Sequence, residues 1–330
     1  MLHTSGHLYA LCLALLLVLS SCGDKKGKEK PEAGTPALTV PPFHADSALS
    51  FLEKQVSFGP RIPNTKAHRE TGDYLIAKLR SYGARVSVQE FKATTFDGQE
   101  LQLRNIMGSF RPEVQKRILL AAHWDTRPYS DKDPDAPMKP FDGANDGASG
   151  VAVLLEIARN LKTPPNVGID IIFFDGEDWG TEAGEVPLPS GLDSWWCLGS
   201  QHWSKHRHPP GYRAYYGILL DMVGGHNAQF FQEGSSVFYA PQIVKKVWST
   251  AARMGYPSTF VEQKQAPITD DHLFVNQLAE IPMIDITPYD PATGYFGAFH
   301  HTQKDNLQGI SKETLERVGR VVTQVIYSEE

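Results

Sequence analysis

The feature that most constrains the fold is a set of short apolar runs, each followed by acidic or imidazole residues. RILLAA occupies residues 117–122, GIDIIFF residues 168–174 and YYGILL residues 215–220. Each run has the length of one strand and little polar alternation, which predicts strands covered by helices on both faces. Between the first two, residues 148–161 place Val151, Leu154, Leu155 and Ala158 on one helical face. The same reasoning predicts a strand at 282–286, a helix over 66–82 ended by Gly83, and a closing helix over 314–327. Strands alternating with helices predict an α/β layered fold. With 41% hydrophobic residues in 330, the chain can bury a substantial core, and residues 43–330 read as one domain.

The N-terminal stretch has a different character. Residues 8–20 (LYALCLALLLVLS) are uncharged and apolar but short for a bilayer span. They lead to Leu19-Ser20-Ser21-Cys22, which resembles a bacterial lipoprotein cleavage box. The resemblance implies a signal peptide over 1–21, a lipid on Cys22 and an envelope location facing the periplasm; an uncleaved signal anchor is the alternative. Residues 22–42 are rich in charge, Pro and Gly, as a flexible tether is. A net charge of −6 gives no reason to expect a nucleic acid partner. Three cysteines exclude a disulfide scaffold, and Cys197 is expected to be a small buried hydrophobe.

The polar residues gather where the strands end. His123 and Asp125 follow the first run, Glu177 and Asp178 the second, and Asp221 the third. Open α/β sheets bind ligands at the carboxyl ends of their strands, so these residues are expected to share a pocket with Asp146, Asp270 and His301. Several carboxylates meeting there would repel one another. A divalent cation removes that conflict, and imidazole with carboxylate suits zinc.

His123-Trp124-Asp125, residues 143–150 (GANDGASG), residues 173–178 (FFDGED), Leu220-Asp221 and His301-Thr302 together resemble the ordered motif set of the zinc-dependent aminopeptidases. The resemblance spans about residues 45–330. It implies a single α/β/α domain with a mixed, mainly parallel sheet, and two chemistries compete within it. Peptidases use two zincs and hydrolyse the first peptide bond. Glutaminyl cyclases use one zinc and convert N-terminal glutamine of peptides or proteins to pyroglutamate with release of ammonia. The five two-zinc positions, His123, Asp146, Asp178, Asp221 and His301, are all occupied, so the ligand inventory leaves the choice open.

Two further segments resemble the cyclase branch: Thr269-Asp270-Asp271-His272 and residues 193–203 (DSWWCLGSQHW). The cyclase resemblance implies zinc on Asp146, Asp178 and His301, with Glu177 as general base and acid. Asp270 would share a proton with Glu177. His123, Asp125, Asp221 and Asp285 would orient these groups through hydrogen bonds. Trp195, Trp196, Phe299 and His300 would line the substrate pocket. Many cyclases carry Trp where this chain has His300. A catalytically dead binding domain is disfavoured because every ligand position is kept.

Overall fold

The computed structural model describes residues 39–330 apart from residue 183. The expected signal peptide, Cys22 and most of the tether lie outside the described residues. The first elements are α1 (Ala45–Val56), α2 (Lys66–Ser81), β1 (Arg85–Thr94), β2 (Glu100–Phe110), β3 (Arg117–His123), α3 (Ala148–Asn160) and β4 (Gly168–Phe174). There follow α4 (Leu198–Lys205), β5 (Tyr216–Leu220), β6 (Phe230–Gln232), α5 (Gly234–Tyr239), α6 (Pro241–Arg253) and β7 (Phe260–Lys264). The chain ends with α7 (Asp271–Ala279), β8 (Met283–Ile286) and α8 (Lys312–Tyr327).

The main sheet has the order β1-β2-β4-β3-β5-β8. Strands β4, β3, β5 and β8 run parallel, and β2 and β1 continue the sheet antiparallel at one edge. This is the mixed, mainly parallel α/β/α arrangement that the family resemblance implies. Residues of the parallel strands alternate between two cores, as a period of two requires. Ile118, Leu120, Ile169, Ile171, Ile218 and Leu220 pack with residues of α1, α2, α3 and α8. Leu119, Ala121, Ile172, Phe174 and Leu219 pack on the opposite face with Trp203 of α4 and Val275 of α7.

Local sequence explains where the helices begin. Thr65 accepts the His68 amide at the start of α2, and Ser311 accepts the Thr314 amide at the start of α8. Helix α3 lies so close to β5 that a side chain at Gly150 would overlap the Leu220 carbonyl. That close approach brings the loop before α3 over the strand ends. His123 pairs with Phe174 across β3 and β4, and Leu220 with Ile286 across β5 and β8. The carboxyl ends of the strands are therefore level, and the polar residues that follow them meet.

Candidate active site

His123, at the end of β3, lies between two carboxylates. Its Nε2 is 3.1 Å from Asp146 Oδ1 and 3.2 Å from Asp221 Oδ1. Two residues on, Asp125 is fully buried and accepts the amides of Glu177 (3.1 Å) and Asp178 (3.2 Å). Those two bonds fix the turn after β4 that presents both acidic side chains.

Asp146 is delivered by the loop before α3, and this loop is gripped from two sides. Asp305 accepts the amides of Asn145 (2.6 Å) and Asp146 (3.0 Å). From beneath, the fully buried Arg61 donates to the carbonyls of Trp124 (3.1 Å), Asp142 (2.5 Å), Gly143 (2.6 Å) and Asp146 (3.2 Å). Gly147 closes the loop with φ +54°, against the His123 ring, where a Cβ would clash.

His301 completes the group. Its Nε2 is 3.0 Å from Asp178 Oδ1 and 3.7 Å from Asp146 Oδ2, and its Nδ1 is 3.2 Å from Asp131 Oδ1. The backbone there is left-handed, with φ +56°, an uncommon state for a residue with a side chain. Burial alone would lower the imidazole pKa, but Asp178, Asp131 and Asp146 lift it to about 9. Burial raises Asp221 to about 7 against the hydrogen bond from His123. Asp178 is raised by burial first, with His301 opposing and Asp146 adding repulsion. Asp146 is instead held below the usual range, its burial outweighed by His123, and buried carboxylates packed this closely are the electrostatic signature of a place for a cation.

The residues fit a zinc ion. Asp146 Oδ2 is buried and has no hydrogen-bond partner, and it faces His301 Nε2. Carboxylate oxygen and neutral imidazole form a donor set suited to zinc. Asp146 belongs to two groups of closely spaced donors, one with His123 and Asp221 and one with His300 and His301.

Glu177 stands beside this group. Burial raises its pKa well above the usual value; His123 opposes, and Asp178, Asp270 and Asp271 add repulsion. Its Oε1 accepts the Cys197 thiol at 3.2 Å. Asp270 caps α7 through the Asp271 amide and has a ligand atom within 4.8 Å of Glu177 and Cys197. Burial raises Asp270, and burial together with its acidic neighbours raises Asp285 well above the usual range. The two sit at the start of α7 and on β8, which pack together in the interior, whereas Glu177 is partly open to the cleft.

These groups line one cleft of about 510 Å³, with Trp195, Trp196, Tyr295, Phe296 and His300 forming its walls. The Trp196 indole lies over His301 at 6.0 Å and 23°, in space that only a glycine at position 180 leaves free. Trp195 is anchored through Nε1 to the Val186 carbonyl at 3.0 Å. Phe299 departs from expectation: it lines a second hollow of about 460 Å³ on the other side of its loop, with Tyr289 and Pro288. Arg61, Asp305, Lys132 and the thiol of Cys197 have parts here that the sequence did not reveal. Asp305 follows His301 by four residues in an otherwise ordinary polar turn, and nothing near Arg61 points to a loop 81 to 85 residues away.

The comparisons agree with this geometry. Residues 105–326 match the model of "Peptidase family M28". The chain belongs to peptidase family M28. Within that family it is 27% identical over 295 residues to aminopeptidase YwaD of Bacillus subtilis (strain 168), covering 85% of this chain and 56% of that protein. It is 26% identical over 296 residues to the glutaminyl-peptide cyclotransferase of Bothrops jararaca, covering 80% of this chain and 75% of that protein. Among solved structures, the glutaminyl cyclase of Bacteroides thetaiotaomicron bound to N-acetylhistamine superposes with a TM-score of 0.84 at 51% identity, covering 88% of this chain and all of that chain (100%). The family fold is thus the one built here strand by strand.

Proposed function

We propose that this chain is a glutaminyl cyclase acting on peptides or proteins with N-terminal glutamine. The observation that carries the reading is Glu177: a carboxyl of raised pKa at a metal-fitted cluster, in a cleft walled by Trp195 and Trp196. Its likeness to a solved cyclase at 51% identity supports the reading. Asp146, Asp178 and His301 would hold one zinc, which when bound supplies Lewis acidity toward the side-chain carboxamide oxygen. The walls keep the glutamine side chain folded back, so that its α-amine approaches the carboxamide carbon; such positioning is worth about 7–11 kcal/mol in favourable cases. A bond forms from the α-nitrogen to that carbon, and the carboxamide C–N bond breaks. Glu177 takes the proton from the attacking amine and returns it to the departing nitrogen, which leaves as ammonia. A carboxyl pKa raised by burial suits one group to both transfers. Asp270, close enough to share a proton with Glu177, keeps it from ionising too readily.

Removing the base tests the reading. Glu177→Gln preserves size and is expected to lower ammonia release from a Gln-initiated peptide by about 10²–10⁴-fold, with zinc retained at one per chain. Activity within tenfold of wild type would mean that another group moves the proton. A second reading, hydrolysis by a two-zinc aminopeptidase, is favoured by the two donor groups that share Asp146. Two zincs per chain and a free amino acid from a leucine anilide would establish it. We further propose that Cys22 carries a lipid that holds the domain to the bacterial envelope, facing the periplasm. Cys22→Ser should then move the protein from the membrane pellet to the soluble fraction.

A further inference from the structure

His300 has two ring nitrogens with different neighbours, and the difference decides what the ring can do. It is 8% exposed and lines the cleft. The ring stacks on His301 at 3.7 Å and 26°, and Phe296 meets it edge-on at 4.6 Å. Its plane is therefore fixed. Nδ1 lies 3.0 Å from Lys132 Nζ. An ammonium has three donors and no acceptor, so Nδ1 must supply the lone pair and the single ring proton belongs on Nε2. Lys132 is solvent-exposed at its surface and lies 4.6 Å over the Tyr295 ring; partial burial lowers its pKa from the usual lysine value, and Asp131 and Glu182 oppose that by attracting its charge. Nε2 is 3.9 Å from Asp146 Oδ2, too far for a hydrogen bond.

We propose that Lys132 locks His300 as the Nε2–H tautomer, and that this N–H donates to a carbonyl oxygen of the bound substrate. The assignment rests on the cyclase reading and deepens it. It also removes His300 from the candidate metal ligands. His300 lies close enough to Asp146 and His301 to join them around a metal, but a nitrogen that carries a proton has no lone pair to give. Lys132 is then a positioning residue, acting through His300.

Three variants test the assignment. His300→Phe keeps a stacking ring and removes the donor; His300→Gln brings an amide N–H to the Nε2 position; Lys132→Met removes the cation that sets the tautomer. Wild type and variants are assayed for cyclisation of a Gln-initiated peptide and for zinc affinity by competition with a chromophoric chelator. Ring ¹⁵N NMR of histidine-labelled protein reads the tautomer directly. Wild type should show the Nε2–H form, and Lys132→Met a mixture. His300→Phe should lose about tenfold in kcat/KM, near the upper end for one hydrogen bond, with zinc affinity within twofold of wild type. His300→Gln should recover most of the loss. A loss in kcat identifies the carboxamide oxygen as acceptor; a loss in KM identifies the first peptide carbonyl. Zinc affinity falling with activity in His300→Phe would make the ring a ligand and overturn the proposal, as would full activity in that variant or an Nδ1–H wild type. If the wild-type protein releases no ammonia, the cyclase reading fails; the NMR and zinc measurements still judge the Lys132–His300 pair separately.

Discussion

Arg61 forms no close ion pair with a predicted ligand, yet the geometry makes it a support for Asp146. Its guanidinium donates to four main-chain carbonyls, of Trp124, Asp142, Gly143 and Asp146, in a place with no solvent access. Arg61→Met keeps much of the stem and removes all four donors. A buried acceptor left unpaired costs about 1–3 kcal/mol. The Gly143 carbonyl keeps a second bond, from the Ala148 amide at 3.3 Å, so its cost lies at the low end. Because the loop relaxes as a unit, the losses do not add fully, and about 3–5 kcal/mol is expected overall. That is a large share of the roughly 5–15 kcal/mol by which domains are stable, so the variant should fold at 25 °C with a lowered urea midpoint. Support residues around metal ligands typically change affinity by about 10–100-fold, and the same drop in zinc affinity is expected here. Urea unfolding of the zinc-free protein and a chelator competition assay measure the two effects. A stability loss under about 1 kcal/mol, or a full loss of stability with zinc affinity unchanged, would refute the claim that Arg61 holds the Asp146 loop.

Two other perturbations follow from the same structure. Cys197→Ala removes the thiol donor to Glu177 Oε1, a weak hydrogen bond worth about 0.5–1 kcal/mol, so kcat should fall about two- to fivefold with KM unchanged; steady-state kinetics with no change in kcat would show that the thiol does not position the base. Glu233, although buried, is held down to about 2 by His272 (2.9 Å) and by the amides of Ser235 and Ser236. A carboxylate with a lowered folded pKa stabilises the fold above its unfolded value and loses that stability as pH falls from about 4.5 toward 2. The full effect is on the order of 3 kcal/mol. Glu233→Gln should flatten this part of the stability curve, and a variant that loses stability between pH 6 and pH 3 as steeply as wild type would sink the assignment.

How much of this was legible in the sequence depended on how local the cause is. The runs at 117–122, 168–174 and 215–220 became β3, β4 and β5 within a residue at each end because each is buried on both faces. The β1–β2 hairpin was not anticipated. β1 is an edge strand, half exposed along its length, and its sequence RVSVQEFKAT carries charges where an interior strand would not. The residues just past the strand ends were legible, since the topology brings any such residue to one crevice. Arg61, Asp305 and Lys132 were not: each grips a partner 81 or more positions away, which leaves no periodic trace. Phe299 failed for a geometric reason. The chain turns sharply at His301, and within that turn His300 faces the cleft while Phe299 faces the hollow behind it.

The choice between cyclisation and hydrolysis turns on Asp146, which both donor groups claim, and the two histidines that flank it are not equivalent. His301 has the surroundings of a metal ligand. Its Nε2 faces two carboxylates, one of which keeps Oδ2 without a partner, and a third carboxylate, Asp131, stands 3.2 Å behind Nδ1. A carboxylate behind the outer nitrogen fixes the tautomer that leaves Nε2 free to bind. His123 is arranged otherwise. The carboxylate behind its Nδ1 is farther off: Asp125 stands 3.6 Å away and already accepts the amides of Glu177 and Asp178. Its Nε2 bridges Asp146 and Asp221, so its proton already neutralises the charge that a second cation would otherwise balance. For a zinc to enter there, that proton must leave and Asp146 Oδ1 must give up its contact with His123. Each step costs free energy; on the His301 side a proton must leave as well, but Asp146 Oδ2 has no bond to give up. The asymmetry favours a single metal, and with it an attack by the substrate's own amine.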